Sequence, residues 1–332
     1  MAKGRIFSGM RPTGRLHLGN LEGALSNWVK LQHEYDCVFG IADWHMLTTG
    51  YQKVEDLQEN ILGVTIDWLS VGLEPEVSTL MIQSRVPQHA ELHLLLSMIT
   101  PLGWLERCPT YKEWLRELDL RENASYGLLG YPVLQAADIL VYKSDHVPVG
   151  EDQIPHLEIT REIARRFNYI YSDTFPEPQA LVTKTARIVG LDGQKKMSKS
   201  LGNAIYLADD AKALQDKVNS MFTDPTKLRK DDPGHPEGCA VFAFREVYSP
   251  AEEVAELKKE CQAGGLGCVA CKKQLMQLLS ERLAPIQEKQ AYWAERPDEV
   301  WDILEAGSAK SREVAEVTLE EVRSKLNLAR SS

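Results

Sequence analysis

No stretch of the chain holds the roughly 18 consecutive apolar residues that a membrane-spanning helix needs, so no membrane span is expected. The first residues, Met1-Ala2-Lys3-Gly4-Arg5-Ile6-Phe7, lack a signal-peptide apolar core, and the expected location is cytoplasmic. No Gly-x-Ser-x-Gly elbow and no nucleophilic triad is legible, which sets aside the common covalent hydrolases. A flavin-binding glycine motif is also missing, and with it the case for an electron-transfer protein. There is no internal repeat and no low-complexity tract. The net charge of −10 gives no broadly basic surface, although a local basic patch would still serve a large polyanion. Cysteine is scarce, at six residues, and disulfides are not expected in a cytosolic chain.

What is present is an ordinary globular composition, 43% hydrophobic and 26% charged, in a length of 332 residues that suits one large or two moderate domains. The first half alternates strand and helix. Arg5-Ile6-Phe7-Ser8 reads as a strand ending in the turn-rich Gly9-Met10-Arg11-Pro12-Thr13-Gly14. From Asn20 to Tyr35, Leu21, Ala24, Leu25, Trp28 and Val29 recur at helical spacing. Cys37 to Asp43 and Thr79-Leu80-Met81-Ile82 are continuous apolar runs, as in strands covered on both faces. This order predicts an α/β fold, a doubly wound parallel sheet of Rossmann type, with inserted helices over residues 91–142. A boundary near 184–195 separates a catalytic domain (1–190) from a mainly helical domain (191–332), with helices expected over 211–221, 251–261, 271–295 and 297–326.

Three groups of residues carry chemistry. The first is an anion site in two pieces. Pro12 to Asn20 joins the first strand to the first helix, where free N–H groups and the positive helix end favour phosphate. His17 and Asn20 add side-chain donors there, and Gly19 admits a flat base. The second piece is Lys195-Lys196-Met197-Ser198-Lys199-Ser200, a loop able to bring cations onto a polyphosphate. Either piece alone is an ordinary turn. The second group is Tyr131, Gln135 and Asp138, which share one helical face at i, i+4 and i+7 among apolar neighbours and suit a small polar ligand. Gly150-Glu151-Asp152 opens the next helix, where ribose or adenine would meet it. Asp152 alone would be an ordinary acid at a helix start.

The third group is Cys239, Cys261, Cys268 and Cys271, spaced C-x21-C-x6-C-x2-C with a glycine-rich loop at 264–267. Four thiolates suit tetrahedral Zn²⁺ or a [4Fe–4S] cluster, and spacing does not separate the two. Cys37 and Cys108 read as buried free thiols and stay unassigned. Arg229, Lys272 and Lys273 are the better candidates for contacts to a nucleic-acid backbone; Lys258 and Lys259, amid glutamates, read as a solvated face.

His17-Leu18-Gly19-Asn20 together with Lys196-Met197-Ser198-Lys199-Ser200 resembles the paired signatures of class I aminoacyl-tRNA synthetases. Ile6 to Gly9, Ala42-Asp43-Trp44-His45, Ala136 to Leu140 and Val149 to Gln153 extend the resemblance, over nearly the whole chain, to the tryptophanyl-tRNA synthetases. That resemblance implies a two-step ligase for L-tryptophan, ATP, Mg²⁺ and tRNA(Trp), acting as a homodimer. It implies that Asp138 accepts the indole N–H and that Phe7, Gly9, Ile139, Val147 and Val149 line the ring slot. Tyr131, Gln135, Gln153 and His45 would hold the amino-acid head. Arg11, Pro12, Thr13, Gly19, Asn20, Gly150, Glu151, Asp152, Ile188, Lys196, Met197, Ser198, Lys199 and Ser200 would surround ATP, with His17, Asn20, Lys196 and Lys199 acting in catalysis. Arg11 stands where many family members carry glutamine. The cysteine segment is similar to that of a bacterial subset with a [4Fe–4S] cluster in the anticodon-binding region. The alternatives are a tyrosyl-tRNA synthetase, whose pocket also uses a Tyr-x-x-x-Gln-x-x-Asp face, and a synthetase-like protein sensing redox state or tryptophan.

Overall fold

The computed structural model describes residues 3–117, 124–150, 153–182, 188–193 and 195–328. Five parallel strands, β1 (Arg5–Met10), β2 (Asp36–Ile41), β3 (Thr79–Ile82), β4 (His146–Val149) and β5 (Gln179–Val182), lie in the order β3-β2-β1-β4-β5. Apolar residues alternate between the two faces, as the two-residue period of a strand requires. Ile6, Cys37, Phe39, Ile41, Leu80 and Ile82 enter one buried cluster, while Phe7, Val38, Met81, Val147 and Val149 enter the other. Burial on both sides explains why these strands read as unbroken apolar runs.

The first cluster does not stop at the sheet. It takes in Trp28 and Trp68, then Met197, Ile205, Phe244, Leu275, Leu279 and Leu283, so one apolar core runs from the N-terminal strands into the C-terminal helices. The Pro297–Lys325 helix covers the edge strand β3. Ser308 Oγ accepts from Ile82 N at 3.1 Å, and a Cβ on Gly307 would fall 1.9 Å from Leu80 O. An edge that would otherwise offer unpaired backbone is thereby closed.

Several expected boundaries move. The first helical run begins at Leu18 and carries a π turn at Leu21–Leu25 before continuing over Ser26–Leu31. The last two helices are Cys268–Ala294 and Pro297–Lys325. The Asp43–Gly50 and Ala240–Tyr248 helices and strands β4 and β5 were not legible in the sequence pattern. Among the described residues no helix is long and apolar enough to cross a membrane.

Candidate active site

The strand order reverses between β1 and β4, the position where open parallel sheets bind ligands. These strands share a single registered pair, Ile6 with His146, and Pro148 in β4 has no N–H to lend the ladder. They part beyond that pair. The resulting cleft holds a cavity of about 340 Å³, floored by Phe7, Ser8, Gly9 and Met10 of β1 and by Val147, Pro148 and Val149 of β4. All ten residues assigned to tryptophan by resemblance line it: Phe7, Gly9, His45, Tyr131, Gln135, Asp138, Ile139, Val147, Val149 and Gln153. Arg11, Ala42, Thr110, Trp114 and His156 line it too.

The Tyr126–Leu140 helix supplies the polar face. Ser125 caps its start by accepting from Leu128 N, and the helix aligns Tyr131, Gln135 and Asp138 on the cavity. Asp138 is 3% exposed. Its Oδ1 accepts from Gln83 Nε2 at 2.7 Å and His89 Nδ1 at 2.6 Å; its Oδ2 accepts from Gln83 Nε2 at 2.9 Å and His45 Nε2 at 2.8 Å. Burial alone would raise its pKa, but the hydrogen bonds and charges of His45 and His89 outweigh it and hold the carboxyl at about 2. Asp138 is therefore an acceptor only at neutral pH. Tyr131 meets His156 Nε2 through its hydroxyl and lies 4.9 Å from the Trp114 ring; burial pushes its pKa upward. Arg11 sits 5.2 Å over Trp114 and donates to Thr49 Oγ1 at 3.4 Å, with burial lowering its pKa.

The two signature loops meet beside this cavity. His17 and Asn20 form a reciprocal capping box: His17 N donates to Asn20 Oδ1 at 3.1 Å, and Asn20 N to His17 Nδ1 at 3.3 Å. Nδ1 is thus an acceptor, and the neutral ring carries its proton on Nε2. Burial, with the charges of Lys199 and Lys196, lowers the His17 pKa to about 4. Gly19 is needed here because a Cβ would lie 3.0 Å from the His17 ring and 3.5 Å from Met197 Cβ. Met197, 2% exposed, plugs into the core and pins the second loop. Met197 N donates to Ile188 O at 3.1 Å and Ser198 N to Asn203 Oδ1 at 2.8 Å, while Ser198 and Ser200 hydroxyls lie 2.9 Å apart. Lys199 Nζ reaches Gly14 O at 2.6 Å and Thr13 Oγ1 at 3.5 Å, and burial lowers its pKa to about 8. Pro12 is buried, Lys196 is exposed, and Gly150 accepts from Gln153 N at 3.0 Å. Glu151 and Asp152 lie outside the described residues.

Sequence reasoning missed Gln83 and His89. Both follow the C-terminal end of β3, on the ligand side of a parallel sheet, which is the one signal that pointed to them. It also missed Asp67. This fully buried carboxylate binds Arg15 Nη2 at 2.8 Å, Leu16 N at 2.9 Å and Gln290 Nε2 at 2.7 Å, tying the first loop to the Cys268–Ala294 helix.

Cys239, Cys261, Cys268 and Cys271 line a second, apolar cavity of about 30 Å³, with Lys227, Leu257 and Leu266. Gly234 admits Cys261, since a Cβ there would lie 2.5 Å from its Sγ. Burial raises the Cys271 thiol to about 12. The thiols border a common space, yet among the described residues no three His, Cys, Asp or Glu side chains converge to hold a metal ion.

The family model of class I tRNA synthetases for tryptophan and tyrosine matches residues 2–284. The chain is 49% identical to the tryptophan–tRNA ligase of Thermotoga maritima, with 98% of this chain and 99% of that protein aligned. It is 45% identical to the tryptophan–tRNA ligase of Aquifex aeolicus, covering 98% and 100%. Among solved structures, tryptophanyl-tRNA synthetase from Campylobacter jejuni, in complex with ADP and tryptophan, superposes with a TM-score of 0.87 at 35% identity, covering 98% and 100%. The family match, the full-length relatives and the superposed structure agree: the chain belongs to the class I tRNA synthetases, in the tryptophan–tRNA ligase family.

Proposed function

We propose that the chain activates L-tryptophan with the magnesium complex of ATP, giving tryptophanyl-adenylate and pyrophosphate, and then passes the tryptophanyl group to tRNA(Trp). The observation that carries this reading is Asp138, an ionised, acceptor-only group on the wall of an apolar cavity. Indole N–H is a donor only and matches it. A site built on such a bond rejects ligands lacking the donor by about 10⁴-fold. Phe7, Ile139, Val147 and Val149 supply the slot for the ring, and Tyr131, Gln135 and Gln153 the polar end for the head group.

The chain's own groups act by position and charge rather than as nucleophiles. The tryptophan carboxylate attacks the α-phosphorus, and the pyrophosphate leaves toward the two loops. Lys199 and Lys196 balance the charge that grows on the leaving group, and His17 offers an Nε2–H without adding charge. Asn20, engaged in the capping box, acts by holding His17. Arg11, Pro12, Thr13, Gly150, Ile188, Met197, Ser198 and Ser200, with Glu151 and Asp152, complete the ATP site in this proposal. The 195–200 loop joins a catalytic part (1–190) to an anticodon-binding part (191–332), and the enzyme works as a cytoplasmic homodimer.

Pyrophosphate exchange measured with each amino acid tests the activity. Exchange with tryptophan alone is expected; exchange with tyrosine, or with none, overturns the reading. Asp138→Ala is expected to abolish tryptophan-dependent exchange while ATP binding survives, and an unchanged apparent tryptophan affinity would refute the role of Asp138.

The four thiols suit a [4Fe–4S] cluster in donor set and in their shared apolar enclosure, with Zn²⁺ as the alternative. When bound, the group supplies a covalent tie between the loop before Ala240, the Ala251–Gln262 helix and the start of the Cys268–Ala294 helix. Anaerobic purification is expected to give a brown protein absorbing near about 400 nm. Stoichiometric zinc without iron refutes the cluster.

A further inference from the structure

An ionised carboxylate offers about four acceptor positions, two on each oxygen. In Asp138 both oxygens are engaged: His89 on Oδ1, His45 on Oδ2, and Gln83 Nε2 straddling the two. An indole N–H that reaches Asp138 from the cavity competes with these donors.

The three donors are not equally free to give way. Gln83 is 1% exposed, and its Oε1 is held by Trp44 N at 3.1 Å and His45 N at 3.4 Å. His89 is fully buried, held between Asp138 through Nδ1 and the Tyr142 hydroxyl, which lies 2.7 Å from its Nε2. Neither borders the cavity. His45 does border it, and among the described residues Asp138 is the only hydrogen-bond partner of its ring. Of the three donors, it is the one that shares the cavity wall with Asp138.

We infer that His45 is a displaceable stand-in for the substrate: it satisfies Asp138 in the empty enzyme and yields that position to the indole N–H. This rests on the assignment of Asp138 as indole acceptor. The physical gain is that a buried charge facing an empty apolar cavity never lacks a donor, a state that is otherwise strongly unfavourable. The consequence is a particular selectivity. A ligand without N–H leaves His45 in place and Asp138 satisfied, so the native enzyme tolerates it better than an uncovered carboxylate would. Removing His45 uncovers Oδ2, favouring tryptophan and penalising the N–H-free ligand.

The test compares L-tryptophan with β-(benzothiophen-3-yl)alanine, which replaces N–H by sulfur, in pyrophosphate exchange. The ratio of their kcat/KM values is expected to rise about tenfold in His45→Ala and to stay at the native value in His45→Gln, whose amide again donates to Oδ2. A purely structural role for His45 weakens both ligands alike, and an unchanged or smaller ratio in His45→Ala overturns the inference. Asp138→Ala, which removes the acceptor outright, separates the two levels. A native ratio there means that Asp138 is not the indole acceptor and the underlying assignment fails. A collapsed ratio there with no change in His45→Ala means that only the stand-in fails. A measurement without substitutions decides the same question: in the ¹⁵N-histidine-labelled native protein, tryptophan should shift the His45 Nε2–H resonance and the sulfur analogue should not. Equal shifts with both overturn it.

Discussion

In the proposed mechanism Lys199 sets a pH limit on the first chemical step. Its ammonium is largely withdrawn from water between the two signature loops, and burial brings its pKa from an ordinary 10.5 to about 8. The reaction needs the cation. A depressed lysine pKa means that the functional form is complete below that value and lost above it. With a pKa of about 8, Lys199 in the free enzyme is about nine-tenths charged at pH 7 and about one-tenth at pH 9. kcat/KM for ATP reports free-enzyme ionisations. It is therefore expected to be level to about pH 7.5 and to fall about tenfold by pH 9. kcat should hold to higher pH, because bound polyphosphate stabilises the ammonium. Lys199→Arg is expected to abolish the alkaline fall, since a guanidinium does not deprotonate in this range, even if its absolute rate is lower. Lys199→Ala should slow adenylate formation far more than it raises the tryptophan KM. The assay is pyrophosphate exchange at saturating tryptophan between pH 7 and 9.5, with circular dichroism confirming that the fold persists. A fall that survives in Lys199→Arg, or a native profile that stays level to pH 9.5, refutes the assignment.

Three further outcomes follow from packing. Asp67→Ala removes the acceptor for Leu16 N and Gln290 Nε2, both donors to a buried carboxylate, and the loss is expected to be about 3–5 kcal/mol by urea denaturation. Arg15 is 43% exposed on its side chain but is the main charge set against the fully buried Asp67, so Arg15→Ala should lower stability by about 1–3 kcal/mol. Gly307→Ala drives a methyl into the Leu80 carbonyl, at 1.9 Å, so the Pro297–Lys325 helix must shift from the sheet edge; a fall of about 2–3 kcal/mol is expected, and a melting temperature within a degree of the native one would contradict the packing.

Some of this enzyme was written locally. The strands β1, β2 and β3 are short apolar runs, and a doubly buried strand leaves no other pattern. The i, i+4, i+7 spacing of Tyr131, Gln135 and Asp138 needed only helical geometry to put three polar groups on one face. β4 was hidden because His146-Val147-Pro148-Val149 breaks the strand pattern with a proline. The same proline belongs to the structure's point of function, since β1 and β4 part where the cavity lies. The Asp43–Gly50 helix was hidden because a single turn or two of helix gives too few residues for a period.

The sequence by itself therefore determined the fold class, the family and the residues that line the cavity between β1 and β4. Each of these is carried by residue type and short-range spacing. Only the tertiary structure decided how those groups are set for chemistry. His17 is neutral because burial and two lysines work against its charge. Lys199 is poised near neutral pH because the loops enclose it. Asp138 is ionised because His45 and His89 donate to it, with Gln83 beside them, from the ends of two other strands. Ionisation and hydrogen-bond occupancy depend on what lies within a few ångströms, and in this chain those neighbours are tens to hundreds of residues away in sequence.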